Sequence, residues 1–172
     1  MNINLERSLP ERPKKNMVWP VIMLIISISA LNYSCKKSPG DDELVLDKNL
    51  TKSAKKYQAL VAGRDGQKGN FDITNVERTG DILTVTTRGG CSADDFSVVW
   101  NGEILLSYPA QVKLVIYKNS STTCAPGTVV NVKIDLTKIM TDPNGKDFIF
   151  HVANGSIKED KSLNPDGSIS SY

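Results

Sequence analysis

A single histidine limits the acid–base chemistry that this 172-residue chain can perform. His151 stands in a strand-like run of alternating residues, on the face opposite Phe150 and Val152. A serine nucleophile would need this histidine as its base, yet the sequence contains no Gly-x-Ser-x-Gly turn to present such a serine. We therefore predict that His151 is a surface or edge residue and that the chain has no catalytic residues.

Two groups of carboxylates are the remaining candidates for chemistry. Asp94 and Asp95 are adjacent, and consecutive side chains of a strand point to opposite faces, so both cannot easily serve one reaction centre. The segment 142–147 superficially resembles a calcium loop, but it lacks the ligand at the fifth position and the distal glutamate. We predict that these residues shape turns or bulges, and we expect no metal or cofactor. A hydrolase using Asp94, Asp95 or Asp142 is the alternative, and it would need two carboxyls facing each other across a cleft.

Cys91 and Cys124 are predicted to form a disulfide, because an exported domain meets conditions that permit one. Closing the loop of about 34 residues between them would stabilise the fold by roughly 3.5–4 kcal/mol in the chain-entropy model. A metal or redox pair is the alternative, but there is no Cys-x-x-Cys sequence and no second ligand nearby. One histidine and a disulfide leave too few ligands for zinc.

Cys35 follows an export signal. The apolar run 17–31 comes after Lys14 and Lys15 and ends shortly before Ser34. A basic start, an apolar stretch of about 7–15 residues and a small residue at the cut site are typical of a secretory signal. A cysteine directly after that small residue predicts cleavage before Cys35 and attachment of lipid to its thiol. Residues 1–34 are then a lipoprotein signal peptide.

The sequence Ser-Cys-Lys-Lys at the end of this signal resembles lipoprotein signals of the Bacteroidota. The resemblance implies an outer-membrane lipoprotein of the cell envelope, on the periplasmic or the surface face. One alternative is an uncleaved inner-membrane anchor formed by residues 17–34, although a spanning helix needs about 20 mainly apolar residues. Secretion without lipid is a second alternative.

The mature chain is formally neutral, which bears on its partners. Residues 1–34 hold four of the 21 Lys and Arg and two of the 19 Asp and Glu, so 17 of each remain. Nucleic-acid binding needs a basic patch or stripe, and the balance of charges argues against it. The predicted partners are therefore the membrane, through the lipid on Cys35, and another envelope protein or a glycan.

The elements that position these residues are mostly strands. Residues 35–49 contain Pro-Gly and an acidic cluster and are predicted to be a flexible tether, and residues 50–62 are predicted to form a short helix. From residue 70 onward, short alternating runs separated by turn signals predict seven or eight strands. Asn101-Gly102 predicts a two-residue hairpin turn, with residues 103–108 returning antiparallel. The fold class is predicted to be all-β, with residues 50–172 forming one antiparallel, Greek-key-like sandwich, or alternatively a small β-barrel.

A second resemblance covers roughly residues 89–136. The run GGCSADDFSVVWNG, then SYPAQVKLVIY, Cys124 and VVNVKIDL, is similar to a group of uncharacterised bacterial lipoproteins. These resemble one another in a Gly-Gly-Cys start, a strand ending in Trp, a Tyr-Pro turn, a second cysteine and an Asp-Leu strand end. The resemblance supports the disulfide and implies no activity.

These observations favour a lipid-anchored envelope protein with a non-enzymatic binding or structural β domain. Residues 103–108 or the C-terminal tail could be exposed sheet edges that add a partner strand. An envelope hydrolase, or an accessory subunit of one, is the alternative function. An inhibitor or immunity-type protein is a further alternative, because such proteins also use small disulfide-linked β domains.

Overall fold

The computed structural model describes residues 43–64, 71–122, 124–125, 127–142, 147–156 and 158–172, all within one compact unit, Pro39–Tyr172. The predicted signal peptide and Cys35 lie outside the described residues. In chain order the elements are β1 (Leu44–Asp47), β2 (Leu50–Lys52), α1 (Ala54–Ala62), β3 (Asp72–Thr79), β4 (Ile82–Arg88), β5 (Phe96–Leu105), β6 (Ala110–Lys118), β7 (Val129–Asp135), β8 (Phe148–Asn154), β9 (Lys161–Leu163) and β10 (Ile169–Ser171). Short 3-10 turns occupy Ala93–Asp95 and Leu136–Lys138.

The strands form two separate sheets, which confirms the all-β sandwich prediction and not the barrel alternative. The larger sheet has the order β1-β2-β5-β6-β8-β9-β10, and the smaller has the order β3-β4-β7. The β2–β5 and β6–β8 pairs are parallel, and the other pairs are antiparallel. One main core cluster contains inward side chains of both sheets, such as Leu114 and Phe150 of the larger and Val85 and Val132 of the smaller.

The larger sheet is covered on both faces, which explains its consecutive apolar residues. Val98, Leu114 and Val152 belong to the core shared with the smaller sheet. On the opposite face, Val99, Val115 and Ala153 pack with Leu60 of α1 in a second cluster. A sheet buried on both faces reads as a continuous apolar run rather than a strict alternation. Among the described residues, no helix is long and apolar enough to span a membrane.

The N-terminal boundaries differ from the prediction. The tether predicted over residues 35–49 does not extend through its last residues, because Leu44–Asp47 form β1 and pair with β2. The helix predicted from residue 50 begins at Ala54, because Leu50–Lys52 form β2. Ser53 separates the two elements: its backbone is extended, and its hydroxyl accepts a hydrogen bond from Lys56 N at 3.2 Å, as an N-cap does.

The hairpin predicted at Asn101-Gly102 is wrong. β5 continues through both residues to Leu105, and the register with β6 shifts between Trp100 and Ile104. Gly102 has a φ of +91°, so the glycine serves an irregularity within the strand and not the end of it. The chain reverses instead at residues 106–109, here called the β5–β6 turn. Residues 106–108 belong to this turn, and β2 pairs with β5 over Val98–Trp100, short of residues 103–105.

Candidate functional site

A groove of about 620 Å³ lies on the outer face of the larger sheet, beside α1. The parallel pairing of β6 and β8 sets Lys113 opposite His151, and the antiparallel pairing of β8 and β9 sets His151 opposite Ser162. All three side chains line the groove, with Tyr57 from the helix and Tyr172 from the end of the chain. Five different segments of the chain therefore converge on one concave surface, as is typical of ligand sites.

His151 is held between two hydrogen-bond partners. Its Nδ1 lies 2.8 Å from the Ser162 hydroxyl, and its Nε2 lies 3.1 Å from Gln111 Oε1. The orientation of the Gln111 amide is supported on its other side, where Nε2 donates to Ser107 Oγ at 3.1 Å. The Ser107 hydroxyl in turn donates to Pro109 O at 2.6 Å. This chain of bonds assigns the ring proton to Nε2 and leaves Nδ1 to accept from Ser162.

The surroundings of His151 favour its neutral form. Burial lowers the pKa of the imidazole, and the positive charge of Lys113 lowers it further. His151 is not an edge residue, because β8 lies between β6 and β9, and its side chain is half-buried where it lines the groove. With both ring nitrogens engaged, this histidine is a positioned hydrogen-bonding group in the groove.

An ion pair closes the end of the groove near the C-terminus of α1. The Arg64 guanidinium binds the Asp160 carboxylate with two hydrogen bonds of 3.0 and 2.9 Å. Asp160 Oδ1 also accepts from the backbone N–H of Asn154 at 2.7 Å, and its side chain is only 8% exposed. The backbone of Asp160 pairs with that of Tyr172 in both directions at 3.3 Å. The pair therefore joins α1, β8 and the last residue of the chain.

Two tyrosines supply aromatic surface to the groove. The Tyr172 ring meets the His151 ring edge to face, with 6.1 Å between the ring centroids. Burial raises the pKa of both the Tyr57 and the Tyr172 hydroxyl, so both stay protonated and can donate a hydrogen bond. Lys113 makes no hydrogen bond or ion pair with any described residue, and its positive charge acts on the neighbouring His151.

A second groove, of about 440 Å³, lies where Arg78 faces Phe148 and Phe150. The Arg78 guanidinium is 5.7 Å from the centroid of the Phe150 ring. Turn residues around Pro165 and Gly167 form much of its wall. The larger groove is the better candidate because it brings together more polar side chains with defined partners.

Cys91, Cys124 and the three aspartates singled out in the sequence (Asp94, Asp95 and Asp142) do not line either groove. Cys91 and Cys124 form a disulfide-capable pair with Cα atoms 5.4 Å apart, within the range that a disulfide requires. Asp95 accepts hydrogen bonds from Cys91 N, Ser92 N and the Ser120 hydroxyl at 2.7, 3.0 and 2.8 Å. Asp95 therefore shapes the turn that carries Cys91.

The electrostatics of the two adjacent carboxylates differ. The Ser120 hydroxyl, followed by the N–H groups of Cys91 and Ser92, lowers the pKa of Asp95. Asp94 is exposed and lies 2.7 Å from Lys48 Nζ. The residues that the structure describes contain no group of three or more His, Cys, Asp or Glu side chains that could hold a metal ion. Asp142 lies next to residues 143–146, which are outside the described part of the chain.

The groove escaped prediction because its residues are far apart in sequence. The alternation of apolar and polar residues placed three polar side chains on the outward face of their strands: Gln111, Lys113 and His151. It did not show that these side chains are neighbours. Their meeting depends on the parallel β6–β8 pairing, and no local signal predicts that pairing. The Arg64–Asp160 contact likewise spans 96 positions. No family model, curated protein or solved structure matches this chain.

Proposed function

We propose that this chain is a lipid-anchored cell-envelope protein whose β domain binds a glycan in the groove beside α1. The observation that carries the proposal is the convergence of two tyrosine rings with side chains that form directed hydrogen bonds. Sugar rings present C–H faces that pack on aromatic rings, and their hydroxyls both donate and accept hydrogen bonds. Tyr57 and Tyr172 fit the first requirement, and Lys113 and Asn164 fit the second.

The charge of the groove also favours a neutral or weakly anionic ligand. Arg64 and Asp160 neutralise each other, and His151 is neutral for the reasons given above. Lys113 is then the one cation among the described lining residues that has no protein partner. A strongly anionic ligand such as a nucleic acid would meet too little positive charge.

The geometry favours binding over hydrolysis. Glycoside hydrolysis uses two carboxyls that flank the scissile bond. Among the described residues that line the groove, Asp160 supplies the one carboxylate, and Arg64 and the Asn154 N–H already bind it. The imidazole of His151, which also lines the groove, has both nitrogens engaged.

The test is binding of bacterial cell-wall and surface oligosaccharides to the purified mature lipoprotein in detergent, followed by calorimetry on the best ligand. Tyr172→Ala and Lys113→Met should each weaken binding about tenfold, the equivalent of one good contact. Tyr108→Ala is the matched control, because it removes an exposed tyrosine outside the groove. Equal losses in all three variants, or no binding by the parent protein, would contradict a glycan site here. Shortened oligosaccharides after incubation would favour the hydrolase instead.

A further inference from the structure

The β5–β6 turn exposes more apolar surface than any other reversal in the described chain. Leu106 is 93% exposed and Tyr108 is 89% exposed, and Leu105 beside them is partly exposed. Single exposed apolar residues are ordinary on protein surfaces, but a cluster at one projecting turn marks an interaction site. The sequence between Glu103 and Lys113, ILLSYPAQV, also contains no charged residue. The turn could therefore enter an apolar medium without burying a charge.

The strand register places this turn at the end of the domain where the chain enters. Leu44 of β1 pairs with Lys52 of β2, which pairs with Trp100 of β5. β1 runs antiparallel to β2 and β5. Glu43, just before β1, therefore lies at the same end of the domain as the residues of β5 that follow Trp100. On the neighbouring strand, Trp100 pairs with Leu114, and the four residue-to-residue steps from Ala110 to Leu114 span about 13 Å. The turn therefore projects beyond the level of Leu44 by about that distance.

The tether length brings this end of the domain close to the membrane. Eight positions separate Cys35 from Glu43, and an extended chain covers at most about 26–29 Å over that length. A bilayer that holds a lipid on Cys35 is therefore within that distance of Glu43. The distance by which the β5–β6 turn projects beyond Leu44 is about half of this maximum tether length. Tyrosine is also favoured at the membrane–water interface, where its ring is buried and its hydroxyl stays hydrated.

We propose that the β5–β6 turn is a second membrane contact, in which Leu106 and Tyr108 insert into the interface of the bilayer that carries the lipid on Cys35. This inference rests on the lipid attachment proposed above and is independent of the glycan. The lipid holds the chain at the membrane, and the turn fixes the orientation of the domain on it. Two contacts restrict rotation that a single tether allows.

The opposite end of the domain provides a matched control. Lys118, at the far end of β6 from Ala110, donates a hydrogen bond to Gly89 O at 3.0 Å, and Gly89 N donates to Thr128 O. Val129 follows Thr128 and is 56% exposed. It is thus an exposed apolar residue at the end of the domain that faces away from the bilayer.

The experiment compares Leu106→Trp with Val129→Trp in the mature, lipidated protein that begins at Cys35, reconstituted into vesicles of seven parts phosphatidylcholine and three parts phosphatidylglycerol. Flotation first establishes that the protein is anchored. Replacing the phosphatidylcholine by its brominated form should reduce the fluorescence added by the Leu106→Trp substitution at least twofold, after subtraction of the parent emission from Trp100. The added emission of the Val129→Trp variant should change by less than a fifth. Tyr108→Trp is a second probe in the same turn.

The outcomes separate the two proposals. A protein that floats but shows equal quenching at positions 106 and 129 overturns the membrane contact and leaves the lipid anchor intact. An apolar turn covered by a protein partner would give the same result. A protein that carries no lipid and does not float overturns the anchor and the membrane contact together.

Discussion

At the scale of single residues, His151 shows that the role of a side chain depends on its neighbours across the strands. Its sequence context, with Phe150 and Val152 pointing into the core, correctly indicated an outward position. The same context could not reveal that Gln111 and Ser162 flank the ring, because both reach it through strand pairing. An outward residue of a central strand can thus be half-buried under neighbouring side chains.

The lowered pKa of His151 predicts a loss of stability in mild acid. The unfolded chain takes up a proton near the usual pKa of about 6.5, whereas the folded chain resists protonation until a lower pH. The free energy of unfolding should therefore be unaffected above about pH 6.5 and should fall as the pH drops through 6.5 toward the lowered pKa. Urea unfolding at pH 7.5, 6.5 and 5.5 measures this slope.

Two variants identify the source of that slope. His151→Gln removes the titrating group and should flatten the dependence on pH in this window. Lys113→Met keeps the histidine but removes the neighbouring charge, so it should reduce the slope only in part, since burial is the larger cause. A slope that persists unchanged in His151→Gln would assign the acid sensitivity to another group.

The Arg64–Asp160 pair predicts a large stability effect. Asp160→Asn removes the charge but keeps the shape, which leaves the partly buried guanidinium without its counterion. We expect the free energy of unfolding to fall by about 2–4 kcal/mol, measured by urea titration at pH 7. Asp72→Asn is the control: Asp72 lies 3.8 Å from Lys158, both are about half exposed, and its loss should cost less than about 0.5 kcal/mol. Equal effects would show that burial of the first pair contributes nothing.

At the scale of elements, a disulfide between the paired cysteines would link two loops at one end of the sandwich and stabilise the fold. Replacing Cys91 and Cys124 together by serine should lower the free energy of unfolding by about 3–4 kcal/mol, because the unfolded chain regains the entropy of an open loop. The parent protein should be two mass units lighter under non-reducing conditions than after reduction. Two thiols that react with an alkylating reagent in the folded, exported protein would contradict this disulfide.

Strand positions were predictable, but strand neighbours were not. Val130, Val132 and Ile134 alternate with polar residues, and the structure buries all three, as the pattern predicted. The pattern of Val112, Leu114 and Ile116 is confirmed in the same way. Alternation reports which face of a sheet is buried, and it carries no information on pairing partners. The parallel β2–β5 and β6–β8 pairs therefore could not be predicted, and the groove depends on the second of them.

Local turn chemistry misled the prediction at Asn101-Gly102. A positive φ at Gly102 is compatible with a hairpin turn and equally with an irregularity inside a long strand. The structure takes the second option, since Ile104 and Leu105 still pair with Val112 and Gln111 of β6. A glycine signal identifies an unusual backbone position without specifying whether the chain reverses there.

At the scale of the whole molecule, unequal coverage of the larger sheet creates the site. The smaller sheet covers one face, whereas the short helix α1 covers only part of the other. The strands beyond the helix keep polar side chains, and these form the floor of the groove. The sequence predicted both the helix and the strands, and their relative placement required the tertiary structure.

The proposed anchor is tested on the complete chain. Expressed in a bacterial host, the parent protein should begin at Cys35 and carry a diacylglyceryl mass, because the signal ends in a small residue followed by cysteine. Cys35→Ala should lose this mass and the incorporation of labelled lipid, as shown by intact-mass measurement and labelling. A full-length, unlipidated parent chain that begins at Met1 would instead favour an uncleaved anchor at residues 17–34.

If the domain is lipid-anchored as proposed, the short strand β1 gives it a mechanical property. Any force between the membrane and a bound ligand would then enter at Glu43 and load β1 first, a strand of four residues whose register with β2 is interrupted after Val45. Detachment of this strand would release residues 43–49, about 23–25 Å of extended chain, while β2 and the sandwich core remain folded. Under tension, the linker between the domain and the membrane would then lengthen before the groove that holds the ligand unfolds.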